Sequence, residues 1–204
     1  MTTFIRRLKK LKANSFTLVE LLVVISIIGL LAGLAVPAIQ GALDKAKQQG
    51  DVSNIRQCGL IAFSFAQDYD GGYNGNLTNL TSSKDYFTNL VALKLLTSAK
   101  ILAGNGFTAA TTLDTIDTPN IAWAYVKDLT TSDDGQLPLF LSKGYSAITA
   151  TQTLSTTVGW KTKGLVVYRV GNSAEFLKNG NQGATVGSVN MGLNTNSVPN
   201  TIVQ

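Results

Sequence analysis

From Leu18 to Val36 the chain is apolar at every position except Glu20, Ser26, Gly29 and Gly33. At 1.5 Å per residue this run makes about 28 Å of helix, close to the ~30 Å hydrocarbon thickness of a bilayer. Further along, the apolar positions fall at helical spacing. Ile39, Ala42, Leu43 and Ala46 form one stripe, and Val52, Ile55, Gly59, Ala62, Ala66 and Tyr69 form another. The polar run Lys47 to Asp51 separates them and predicts a bend at Gly50. Asp68-Tyr69-Asp70-Gly71-Gly72 ends the helix, because adjacent glycines supply the left-handed stop. A helix from Phe16 to Tyr69 would be roughly 80 Å long, and its later half needs a globular head to cover its stripe.

Residues 71–82 read as a loop. A short helix starts near Ser83, with Ser82 or Ser83 as its cap and Phe87, Leu90, Val91 and Leu95 on its buried face. Gly104 and Gly106 close that region, and the period then changes to two. In Asn120 to Lys127, Ile121, Trp123 and Tyr125 alternate with other residues, which predicts a half-buried strand. Leu137 to Leu141 is a second strand, with Pro138 marking an edge or a strand start. Gly164 to Val170 and Ser173 to Leu177 flank Gly171-Asn172, the signal of a two-residue hairpin turn. The last 25 residues (180–204) are rich in Asn, Gly, Thr and Val and read as one more strand or as a loose tail. A long helix followed by antiparallel strands is an α+β layout. Its segments are a basic leader (1–15), a transmembrane helix (16–37), an amphipathic continuation (38–70) and a globular α+β head (71–204).

Charge changes this picture only at the N-terminus. The pI of 9.3 points at first to nucleic acid. Yet Arg6, Arg7, Lys9, Lys10 and Lys12 all precede the apolar run, and setting those five aside leaves twelve bases against twelve acids. The basic character belongs to the leader, so a phosphate-binding surface on the body is not indicated. Bases ahead of an apolar span place that end in the cytoplasm and the body outside. The chain has no histidine, which removes the commonest general base, the usual triads and most zinc sites. The single cysteine, Cys58, allows no intramolecular disulfide and reads as a packing residue.

Glu20 is the residue a plain anchor leaves unexplained. A carboxylate in hydrocarbon costs several kcal/mol and normally has a partner. The leader lies on the far side of Ser15, and cleavage there would remove its bases. The same cleavage would create an α-amino group on Phe16, at i to Glu20's i+4 on a helix, within the chain or on a neighbouring copy.

The stretch Ser15-Phe16-Thr17-Leu18-Val19-Glu20-Leu21-Leu22-Val23-Val24-Ile25 resembles the processing and methylation signature of type IV pilins and type II secretion pseudopilins. The likeness runs from the basic leader through Phe16, Glu20 and the apolar span to Pro37. One departure is Ser15, where that family carries Gly. The resemblance implies a non-enzymatic filament subunit with a pilin-like fold. Prepilin peptidase would cut between Ser15 and Phe16 and N-methylate Phe16, and Glu20 would neutralise the amine of an adjacent subunit. Gly29-xxx-Gly33 is also a helix-contact spacing, and Pro37 frees a backbone carbonyl and predicts a kink. The resemblance makes Gly29 to Pro37 the stretch that loses helicity on assembly. The implied partners are the peptidase, copies of this chain or other pilin-like subunits, and an inner-membrane assembly platform. The implied location is the bacterial inner membrane, with the head in the periplasm and the filament there or at the cell surface.

The remaining motifs are weaker. Asp68, Asp70 and Asn74 begin like a calcium loop, but the twelfth position is Asn79, so a helix-end turn is the better account. Asp133-Asp134-Gly135 reads as a turn rather than a Ca²⁺ site, and no cofactor is expected. Trp123, Trp160 and Tyr168 read as core or cross-strand residues. Asn76-Leu77-Thr78 and Asn79-Leu80-Thr81 fit the glycosylation sequon, a pattern too short to carry weight by itself in a chain this rich in Asn and Thr. Two other classes stay open: a minor pilin-like module for adhesion or DNA uptake, and a plain signal-anchored domain, with Leu34-Ala35-Val36 as an ordinary peptidase site.

Overall fold

The computed structural model describes residues 16–144, 151–154, 157–180, 188–190 and 202–203. The basic leader, Ser15 and most of the last 25 residues lie outside the described residues. The chain divides into two units, Met1–Asp44 and Lys45–Gln204. Helix α1 (Leu18–Gln67) begins in the first and ends in the second.

In the first unit every described residue from Phe16 to Leu43 is exposed, including the whole apolar run. Sequence-driven helicity is strong here: Leu and Ala are good formers, and the β-branched Val and Ile cost only tenths of a kcal/mol each. The helix assignment continues through Pro37. It also continues through Gly50, where the sequence predicted a bend. The polar run there is not a break, because Asp51 is buried on the same face as Ile55, Cys58 and Ala62. The stop at the far end is as expected. Asp70 (φ 51°) and Gly71 (φ 83°) take left-handed conformations, and the Gly71 N–H donates to the Ala66 carbonyl at 2.8 Å.

Helix α2 (Ser83–Ala92) is capped by Ser82, one of the two expected serines. Its hydroxyl accepts from the Asp85 N–H at 3.2 Å, and the Asp85 carboxylate accepts from the Ser82 N–H at 2.8 Å. The buried face includes Phe87 and Leu90 as expected and also Tyr86, with Val91 partly buried; Leu95, expected on the same face, is partly buried but lies beyond the helix end at Ala92.

Strands β1 (Trp123–Val126), β2 (Pro138–Ser142), β4 (Gly164–Arg169), β5 (Ala174–Lys178) and β7 (Ile202–Val203) form one sheet in the order β5-β4-β2-β1-β7. Every pairing in it is antiparallel. Strands β3 (Thr151–Thr153) and β6 (Ser188–Asn190) pair separately. Strand β1 is buried at every position rather than half-buried, because it lies between β2 and β7 with both faces covered. Pro138 starts β2 beside a register shift, so an interior strand tolerates its missing N–H. The β4–β5 connection is longer than two residues. The Asn172 N–H donates to the Arg169 carbonyl at 3.0 Å, the Arg169 N–H donates to the Ser173 carbonyl at 2.9 Å, and Asn172 takes φ 59°.

Register places Tyr125, Phe140 and Tyr168 side by side across β1, β2 and β4. Tyr86 stacks on Tyr125 with centroids 3.9 Å apart, and Phe87 stacks on Phe140 at 5.6 Å. Such pairs add about 0.5–1.5 kcal/mol each beyond burial. Helix α1 closes on this layer at Gly59, where a Cβ would lie 2.0 Å from the Tyr168 ring. Only a glycine allows that approach. Trp123, Trp160 and Tyr168 are all buried, in keeping with core roles.

Candidate functional site

The chemistry expected of the chain lies at the start of α1. Thr17 directly precedes the first helical residue, and Glu20 is the third residue of the helix. The Glu20 carboxylate accepts from the Thr17 N–H at 2.8 Å and from the Thr17 hydroxyl at 2.7 Å. The Thr17 hydroxyl in turn accepts from the Glu20 N–H at 3.2 Å. This is a reciprocal capping box, which satisfies two backbone donors a helix start otherwise leaves unpaired. Sequence reasoning looked for a cation and missed it. The signal was present as Thr-x-x-Glu ahead of an apolar run.

Phe16 is exposed beside this cap, and Ser15 lies outside the described residues. Ser26 is the other hydrophilic side chain in the span, and its hydroxyl donates to the Leu22 carbonyl at 2.7 Å. Ser26 is therefore satisfied within the helix, and one Glu20 oxygen is satisfied by Thr17. A Cβ at Gly29 or Gly33 would meet no atom of the chain within 4 Å, so neither glycine is needed for packing within it.

The second unit holds a carboxylate that the sequence reading passed over. Asp51 is buried, and its Oδ2 accepts from the Asn105 N–H at 2.9 Å and from the Trp160 indole N–H at 2.8 Å. Burial pushes its pKa above the ordinary aspartate value, against the pull of those two donors. An open cavity of about 370 Å³ beside it is lined by Lys47, Asn54, Lys100 and Asn105 among others. The signal for Asp51 was its phase: it shares a stripe with Ile55 and Cys58.

The acids weighed as calcium ligands bond within their own loops. Asp133 Oδ2 accepts from the Thr130 N–H at 2.6 Å, and Asp134 Oδ1 accepts from the Gln136 N–H at 2.9 Å. Asp70 sits in the helix-end turn. Asn74 is used differently: it accepts from the Tyr125 hydroxyl and donates to Asp128 at 2.7 Å. Among the described residues, no cluster of three acids or cysteines is placed to hold a metal ion.

A family profile described as "Prokaryotic N-terminal methylation motif" matches residues 10–36, which contain the capping box and the apolar run. The match covers the N-terminal segment of the chain alone. The chain is also 48% identical over 48 residues to the type II secretion system core protein G of Aeromonas hydrophila. That alignment covers 24% of this chain and 34% of the relative, so the chain spans about a third of the length of the curated relative it matches. No solved structure matches the chain. The likeness therefore rests on the N-terminal helix, while the α+β head stands on its own geometry. Pilins and pseudopilins are structural subunits, and an N-terminal apolar helix suits an inner-membrane anchor.

Proposed function

We propose that this chain is the precursor of a filament subunit, of the pilus or the secretion-pseudopilus kind. Prepilin peptidase cuts it between Ser15 and Phe16 and methylates Phe16. The leader's bases hold its N-terminus in the cytoplasm and the head lies in the periplasm. The observation that carries this reading is the placement of Glu20: an acid three residues into an exposed apolar helix, with Thr17 as its partner.

The physical logic has two stages. Before cleavage, Thr17 satisfies part of the Glu20 carboxylate, and the group lies near the membrane surface, where the penalty is smallest. After cleavage, the Phe16 amine of a neighbouring copy offers an opposite charge. Pairing removes a cost that lipid imposes on both groups, so helices associate in one register. The apolar run loses little in leaving lipid, because a core of identical helices is equally apolar. Gly29, Gly33 and Pro37 mark where the helix loosens as copies pack.

N-terminal sequencing and mass analysis of the mature protein test this. A chain beginning at N-methyl-Phe16 is expected. A start near Val36, or an intact Met1 terminus in the membrane fraction, would overturn it.

A further inference from the structure

Resting on the reading of the head as extracytoplasmic, we propose that Asn76 is an acceptor for an N-linked glycan. The chain's two Asn-x-Thr sequons lie in tandem, Asn76-Leu77-Thr78 and Asn79-Leu80-Thr81, in the connection between α1 and α2. The structure treats them differently.

The second sequon is occupied by local structure. Asn79 takes φ 63°, a left-handed conformation that Asn tolerates better than most residues. The Thr81 hydroxyl donates to the Asp85 carboxylate at 2.7 Å, which fixes the start of α2. Both residues have a structural reason to be there.

The first sequon has none. Asn76 and Thr78 are exposed, and neither side chain has a hydrogen-bond partner among the described residues. Thr78 lies in backbone with no regular secondary structure. The flanks are held: Asn74 is bonded to Tyr125 and Asp128, the Tyr73 N–H donates to the Leu129 carbonyl at 3.0 Å, and Leu80 is buried. A free carboxamide and a free hydroxyl two residues apart, presented between fixed ends, form the acceptor geometry that the sequon's chemistry requires.

The donor is a polyprenyl-diphosphate-linked oligosaccharide. The Asn76 Nδ2 forms a bond to the anomeric carbon as that carbon's bond to the diphosphate oxygen breaks. The amide proton leaves with the diphosphate, and nothing is oxidised or reduced. The Thr78 hydroxyl positions the acceptor for the transferase.

The test is glycopeptide mass mapping of the full chain isolated from the cells that make it, with protease accessibility of the head measured on the same cells. A saccharide mass is expected on the peptide containing Asn76, lost completely in Asn76→Gln and in Thr78→Val, and kept in Thr78→Ser and in Asn79→Gln. An unmodified Asn76 on a protease-accessible head overturns the glycan alone. An inaccessible head overturns the topology and the glycan with it. Saccharide that persists in Thr78→Val, or that sits on Asn79 instead, also overturns the assignment.

Discussion

Helix α1 carries two carboxylates in apolar surroundings, and they are accommodated in opposite ways. Glu20 stands where every neighbouring side chain is exposed, and its partner is a residue three positions away. Asp51 is enclosed by the head, and its partners lie 54 and 109 residues away in sequence. The glycines of the same helix repeat the contrast. Gly29 and Gly33 touch nothing, whereas Gly59 admits a tyrosine ring. One half of the helix is finished by folding, and the other is left for a second environment to finish. For the exposed apolar half, the chain's own contacts are therefore a poor guide to which residues matter.

Substitutions separate the halves. The largest effect on the fold is expected from Gly59→Ala, since its Cβ cannot coexist with Tyr168. The cost should be about 3 kcal/mol or more, read as a lowered Tm of the detergent-solubilised chain. Gly33→Ala in the same assay should change stability by less than ~0.5 kcal/mol. Equal losses from both would erase the contrast.

Asp51→Ala leaves two buried donors unpaired and should cost about 2 kcal/mol. Glu20→Ala is expected to leave the melting of the head untouched while filament yield falls at least about tenfold, the equivalent of ~1.4 kcal/mol. Shearing and immunoblotting measure that yield. Normal filaments from Glu20→Ala would remove its proposed role.

Acid titration gives a smaller, signed test. Asp51 has a raised folded pKa, so the folded head holds that proton where the unfolded chain does not. Its contribution to stability falls as pH rises from the ordinary aspartate value through the raised one, and returns on acidification. Asp85 is the reverse. The Thr81 hydroxyl, together with the Thr81 and Ser82 backbone N–H groups, holds its pKa down. Its contribution is present above the ordinary value and is lost as pH falls through the lowered one. Urea melts across this range should show Asp51→Asn steepening the acid loss and Asp85→Asn flattening it.

The smallest effect is expected at Thr17. Thr17→Ala removes the hydroxyl from the cap for about 1 kcal/mol, and Thr17→Ser should restore it. Filament yield of the two variants, compared with Glu20→Ala, tells how much of the assembly role depends on the local cap.

Much of the fold was legible because its signals are local. The apolar run, the stripe from Val52 to Tyr69, the Ser82 cap and the β4–β5 hairpin all lie within a few turns or strands of sequence. The order β5-β4-β2-β1-β7 was not legible, since β4 joins β2 across a long intervening segment and β7 returns from the chain's end. Gly50 shows the same limit. Its polar neighbours suggested a bend, and only the distant Asn105 and Trp160 explain why Asp51 belongs to the buried face. At the candidate site, Glu20 stood out because a charge in an apolar run is conspicuous. Thr17 did not, because a hydroxyl at a helix start is ordinary. The matched profile, residues 10–36, ends well before the first strand of the sheet, so the head was read from periodicity alone.

The two tryptophans of the chain turn the Asp51 contact into something that can be watched. Trp123 donates its indole N–H to the Ile101 carbonyl at 2.7 Å, a neutral acceptor, whereas Trp160 donates to Asp51 at 2.8 Å, an acceptor whose charge depends on pH. Indole emission responds to nearby charge, so in a Trp123→Phe background Trp160 becomes an optical gauge of one proton and of whether the helix is seated on the head.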